Sequence, residues 1–296
     1  MKIGIFSTFI EPAALDLVKT VQDAVKTGEI PNSEISFIFS NRELGDDPTT
    51  DNMLHSLVRQ STSPLISFSA ARFNPDVRKK AKQNKNDLLM KEWRNQFGDE
   101  VLKRLPHTDI DLLLGDMYIW GDNMCAIRNG INLHPALPDG PKGEWYKAIW
   151  ELIQKGAKET GVMMHKVTPE LDRGPAVTSC RFPIRGYQFD ALWNQLPEDK
   201  EELARVVRQG LLEKEKTQHP LHIKIRGHGL AREFPLIIQT AKSFAQGELK
   251  IEGNSVLDCE SRPLKGGLDL TRQIDEIVKP ILEGNQRVLE KRWNYK

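Results

Sequence analysis

The sequence predicts an α/β protein: a mostly parallel sheet flanked by helices, with a helical extension at the C-terminus. Three observations predict it. Short, nearly continuous apolar runs recur at residues 35–40, 65–68 and 110–114, the pattern of strands covered on both faces. Apolar stripes at helical spacing separate them. Each early connection is long enough to hold a helix, as parallel neighbours require.

In chain order, Ile3, Ile5 and Phe6 make a short strand. Pro12 then opens a helix carrying Leu15, Val18 and Val25, which Gly28 can close. The run at 35–40 is the second strand. Asp51 begins a helix with Leu54, Leu57 and Val58, and residues 65–68 form the third strand. Residues 72–85 hold Arg72, Arg78, Lys79, Lys80, Lys82 and Lys85 against Asp76. With so few aromatics between the charges, a solvated insertion is expected there rather than an anion-docking loop. Leu88, Leu89, Trp93, Phe97, Val101 and Leu102 give a core-facing helical stripe. The strand at 110–115 runs into Asp116-Met117-Tyr118-Ile119-Trp120, an aromatic-rich loop suited to a flat heterocycle or to packing on itself. A helix follows with Trp145, Ala148, Ile149, Leu152 and Ile153. Residues 161–166 and 176–182 form strands whose connection is too short for a crossover, so they pair antiparallel. The remainder is mainly helical, with 213–218 a polar loop and Pro280 expected to kink or end the last helix. The expected division is an α/β domain over 1–265 and a helical extension over 266–296.

The chain has 296 residues and a net charge of +1, which gives no general attraction to nucleic acid or to a membrane surface. Residues 190–296 balance 18 Lys and Arg against 17 Asp and Glu, so this C-terminal stretch carries no basic footprint either. Cys125, Cys180 and Cys259 are odd in number and widely spaced, which indicates neither a disulfide framework nor a zinc ribbon. No apolar run is long enough to span a bilayer. A cytoplasmic protein is expected. His219, His222 and His228 have no cysteine or acidic cluster beside them, so no metal is predicted.

The candidate site lies at Ile131-Asn132-Leu133-His134-Pro135. Alternate side chains of a strand share a face, so Asn132 and His134 point the same way. Pro135 cannot continue a central strand, which puts the pair at the strand's C-terminal end, where open α/β sheets bind ligands. An amide and a protonated imidazole can both donate to an oxygen on which negative charge grows. An imidazole can also relay a proton near neutral pH. A carboxylate nearby would hold it charged, and Asp172, in a Gly- and Pro-flanked loop, is the candidate. Taken alone, an Asn-x-His pair reads more readily as a capped strand end with a surface histidine. His165 reads as a structural residue or a pocket wall.

The segments Asn132-Leu133-His134-Pro135-Ala136-Leu137-Pro138 and Thr160 through Pro175, with its Leu171-Asp172-Arg173-Gly174, resemble the folate-dependent formyltransferase family, most closely its phosphoribosylglycinamide formyltransferase branch. The resemblance covers residues 1 to about 265. It implies a Rossmann-like formyltransferase fold, with Asn132, His134 and Asp172 as the catalytic set. It implies 10-formyltetrahydrofolate as co-substrate, held by Met117, Tyr118, Ile119 and Trp120 and by Val167, Thr168 and Glu170. The acceptor it implies is a small-molecule primary amine, glycinamide ribonucleotide in purine biosynthesis, with Ser7 and Thr8 on its binding side. No nucleic-acid or membrane partner is expected, and a homo-oligomer is left open.

The branch uses a glycine-rich first strand-to-helix turn for the acceptor's phosphate. Here that turn is Ser7-Thr8-Phe9-Ile10-Glu11-Pro12, without glycine, with an acidic residue, and with a proline that has no N–H to donate. An amino-sugar nucleotide therefore stays open as acceptor, and so does a non-catalytic folate-binding role. The methionyl-tRNA relative carries a basic RNA-contacting domain, and the formyltetrahydrofolate hydrolase an N-terminal regulatory domain; this chain is expected to have neither.

Overall fold

The computed structural model describes residues 1–115, 120–214 and 219–284. The expected heterocycle contacts at Met117, Tyr118 and Ile119 lie outside the described residues, as do 215–218 of the expected polar loop and the extension beyond residue 284.

The chain begins β1 (Lys2–Ser7), α1 (Pro12–Lys26), β2 (Glu34–Ser40), α2 (Pro48–Gln60), β3 (Leu65–Ser67), α3 (Pro75–Gln83) and α4 (Asp87–Leu102). It continues through β4 (Ile110–Leu113), α5 (Asp122–Ile127), β5 (Gly130–His134), α6 (Trp145–Gln154), β6 (Glu159–Lys166), β7 (Ala176–Pro183) and α7 (Asp190–Trp193). Then come α8 (Lys200–Glu213), α9 (Pro220–Ala245), β8 (Leu249–Glu252), β9 (Ser255–Asp258), β10 (Leu268–Asp269) and α10 (Thr271–Gly284).

These elements fall into two compact units. The first comprises Met1–Asn132, Lys166–Gly174 and Ala241–Ser261. Its strands pair in the order β3-β2-β1-β4-β5, every pair parallel. Phe6, Phe37 and Phe39 from its strands meet Trp93 and Phe97 of α4 in one aromatic core, with Trp93 and Phe97 stacked 5.4 Å apart. Beneath β1, Asp111 and Arg128 form a buried pair. Arg128 Nε lies 2.6 Å from one carboxylate oxygen and Nη2 2.9 Å from the other. Gly4 is required beside them, because a Cβ there would come within 2.1 Å of Asp111 Oδ1.

The second unit comprises Leu133–His165, Pro175–Thr240 and the described residues from Arg262 on. β6 and β7 pair antiparallel, as the short connection requires, and β10 lies parallel to β7. Ile149, Trp150 and Ile153 of α6 pack with Phe182, Trp193 and Ile225. The mostly parallel sheet flanked by helices is thus present, and so is a helix in the C-terminal extension.

Several local expectations change. α2 starts at Pro48, not at Asp51: Asp47 caps it, its Oδ1 accepting from Thr50 N at 3.0 Å, and proline suits the first turn. Part of the basic stretch 72–85 is helical, as α3, and two of its cations are structural. Arg72 Nε pairs with Asp46 at 2.8 Å, and the Arg78 guanidinium sits 5.0 Å from the Trp93 ring centroid. Leu88 is 75% exposed because the Asn86 cap places it in the first turn, off the Trp93–Phe97 face. α10 passes through Pro280 to Gly284 rather than ending there. The region read as mainly helical also contains the β8–β9 hairpin, closed by Gly253 and Asn254. Among the described residues, no helix is long and apolar enough to cross a membrane.

Candidate active site

β5 carries both candidate donors. Leu113 of β4 registers with Asn132, which leaves the amide half-buried near the strand's end. Two residues on, His134 is only 2% exposed, so it is not the surface histidine that the bare Asn-x-His pattern allows. Its Nε2 lies 2.9 Å from the carbonyl oxygen of Pro141. A carbonyl only accepts, so Nε2 carries a hydrogen and donates. The loop after β5 presents that acceptor by folding on itself: Gly140 N donates to Leu137 O at 2.8 Å, and Lys142 Nζ to Pro138 O at 2.8 Å. The His165 ring stands edge-on to His134 at 6.2 Å between centroids, which makes it part of the histidine's surroundings.

Asp172 is described with the first unit, on the loop that leaves β6 and returns at Gly174. Its backbone is left-handed, with φ of 53°, a conformation Asp and Asn tolerate better than most residues. The residue is 9% exposed. The loop is pinched at its base. Val167 N donates to Gly130 O at 2.8 Å, and a Cβ on Gly174 would lie 1.7 Å from the Lys166 carbonyl oxygen. Thr168 Oγ1 donates to Glu170 O at 2.9 Å, which tightens the outward limb. Val167 packs against the aromatic core, while Glu170 is exposed.

Of the other expected contacts, Trp120 turns its indole into the core. It lies 5.1 Å from Phe6 between centroids and covers Gly130 so closely that a Cβ there would meet it at 2.4 Å. Ser7 and Thr8 are buried. Ser7 Oγ accepts from Phe9 N at 3.3 Å, Thr50 Oγ1 donates to Phe9 O at 2.8 Å, and Phe9 takes a φ of 48° with its ring buried. In this turn a phenylalanine thus occupies a backbone position that favours glycine, and its amide is satisfied internally. The three histidines beyond residue 218 have structural surroundings. His222 Nε2 lies 3.1 Å from Tyr146 O, and His228 packs on Phe189 at 4.8 Å.

Three features of this region escaped the sequence reading. Pro141 sits in a turn-rich loop whose carbonyl directions no residue type reveals. Gly174 was expected as a flank of the Asp172 loop, but not its close approach to the Lys166 carbonyl. Lys166 ends the expected strand 161–166, and nothing in that pattern signals that it is buried.

The family model described as formyl transferase matches residues 48–202, just over half of the chain and a span that contains Asn132, His134 and Asp172. A methionyl-tRNA formyltransferase of Thermotoga neapolitana is 28% identical over 171 residues, 55% of this chain; the chain spans 52% of that relative's length. Among solved structures, the phosphoribosylglycinamide formyltransferase of Coxiella burnetii is similar with a TM-score of 0.53 at 20% identity, covering 91% of this chain and 98% of its own. The glycinamide ribonucleotide transformylase 1 of Symbiobacterium toebii is similar with a TM-score of 0.51 at 19% identity, covering 86% and 92%. At such identities the two structures speak for the fold.

Proposed function

The chain belongs to the formyl transferase family, and from that premise we propose that it moves a formyl group from 10-formyltetrahydrofolate to a small-molecule primary amine. The observation that carries this reading is the end of β5. Asn132 and His134 lie two residues apart there, inside the matched span, with the imidazole buried and its Nε2–H fixed on Pro141 O.

In this reading the amine attacks the formyl carbon, and the carbonyl oxygen becomes an oxyanion. The Asn132 amide donates to it. His134, when its ring is charged, donates to it as well. Asp172 keeps the ring charged and helps a water carry the amine's proton to the departing folate nitrogen. The pterin lies along 117–120 and Val167, Thr168 and Glu170, held by backbone groups. No metal enters the scheme.

Glycinamide ribonucleotide is the acceptor we propose, with Ser7 and Thr8 at its side, in purine synthesis in the cytoplasm. One observation favours a second acceptor, an amino-sugar nucleotide. The first turn spends the Phe9 amide on Ser7 Oγ and carries Glu11 at the start of α1, which suits a phosphate poorly. The test is purified protein with 10-formyltetrahydrofolate and each amine in turn, followed by release of tetrahydrofolate. Release that depends on one amine supports transfer. Folate binding without release for every amine supports a binding protein instead.

A further inference from the structure

Lys166 is the one lysine among the described residues that the fold buries, at 4% exposure. Burying an ammonium is unfavourable unless its hydrogens find oxygens. Here they find the turn of a distant hairpin. Nζ donates to the carbonyl of Gly253 and, at 3.2 Å, to Oδ1 of Asn254, the two residues that join β8 to β9. Burial accordingly lowers the lysine's pKa from its usual value. The side chain therefore holds a fixed direction, set by a hairpin some 87 residues downstream.

The backbone of the same residue forms the base of the Asp172 loop. Gly174 returns against the Lys166 carbonyl so closely that it has no room for a Cβ. The adjoining Val167 N is tied to Gly130 O. Within this neck Asp172 keeps a left-handed backbone, which persists only where the surroundings hold it. A shift at the neck moves the carboxylate directly.

We propose that Lys166 is a positioning residue for Asp172, its ammonium fastening the neck of the 167–174 loop to the β8–β9 turn. The proposal rests on the reading of Asp172 as the carboxylate that handles the proton. Lys166→Met keeps the length of the side chain and removes the donor; Asn254→Ala removes one acceptor from an exposed position. Amide hydrogen exchange reads the loop without any substrate. Residues 167–174 are expected to exchange faster in both variants, while β1, β2 and β4 stay as in the parent. In single-turnover transfer, Lys166→Met is expected to be slower by about 10- to 100-fold, the scale of a misplaced catalytic group. Lys166→Arg should recover part of the rate.

A double-mutant cycle with Asp172→Asn identifies the route. If Lys166 acts through Asp172, adding Lys166→Met to Asp172→Asn costs little more than Asp172→Asn alone. Unchanged exchange at 167–174 in both variants overturns the proposal, as do rate losses that simply multiply. If the parent transfers formyl to no amine, the functional reading fails, and exchange alone decides whether Lys166 fastens the loop.

Discussion

His134 Nε2 donates to the carbonyl of Pro141 at 2.9 Å, and this bond ties the buried imidazole to the loop that follows β5. His134→Ala should slow formyl transfer by about 100- to 1000-fold. It also strips the buried Pro141 carbonyl of a donor, at about 1–3 kcal/mol. Single-turnover rates and urea midpoints measure the two effects separately. A variant that loses stability but keeps its rate removes His134 from the chemistry.

The pair formed by Arg128 and Asp111 makes a stability prediction. Both side chains are buried, and Arg128 Nη2 also donates to Thr108 Oγ1 at 2.6 Å. Breaking one partner leaves the other's charge buried, typically at about 3–5 kcal/mol. Arg128→Met should therefore lower the urea midpoint strongly. Asp111→Leu together with Arg128→Met should cost less than the two single changes summed.

Gly174→Ala should act locally. Its Cβ would fall on the Lys166 carbonyl, so the base of the Asp172 loop must open. The expected outcome is a rate loss at nearly unchanged global stability, read by pairing kcat with the urea midpoint. A normal rate would show that the neck tolerates displacement.

Acid should weaken the fold through two buried histidines. Burial, the largest cause for each, lowers His222 to about 4 and His228 to about 3. Both folded values lie below the value of 6.5 for an unperturbed histidine. Between those limits the unfolded chain binds more protons, so stability falls with pH from about 6.5 towards 4 and the loss levels off below the folded values. Urea unfolding at pH 7.5, 6 and 5 should show that decline. His228→Phe, set among Phe182 and Phe189, should flatten it.

What the sequence revealed and what it hid differ for physical reasons. The end of β5 was legible because Pro135 punctuates it and Asn132 and His134 alternate with apolar residues, and the Asp172 loop because Gly174 and Pro175 flank it. α3 was hidden because its only buried side chain is Ala81, so no stripe rises above its charges. Leu88 misled because Leu88, Leu89 and Met90 are consecutive, which leaves the helical phase ambiguous until the Asn86 cap fixes it. The β8–β9 hairpin escaped because each strand has four residues, although the Gly253-Asn254 dipeptide is a hairpin signal. Asn132 and His134 stood out through the family resemblance, because residue type and spacing alone also fit a capped strand end. The Pro141 acceptor and the burial of Lys166 depend on contacts across a loop and across 87 residues, which no local pattern carries.

The most direct measurement is the single-turnover rate of Asp172→Asn with 10-formyltetrahydrofolate and the amine that the parent protein uses, alongside folate affinity and the urea midpoint. The account predicts that transfer falls by at least about 100-fold, with folate affinity and stability close to the parent's. Transfer at near the parental rate would contradict it.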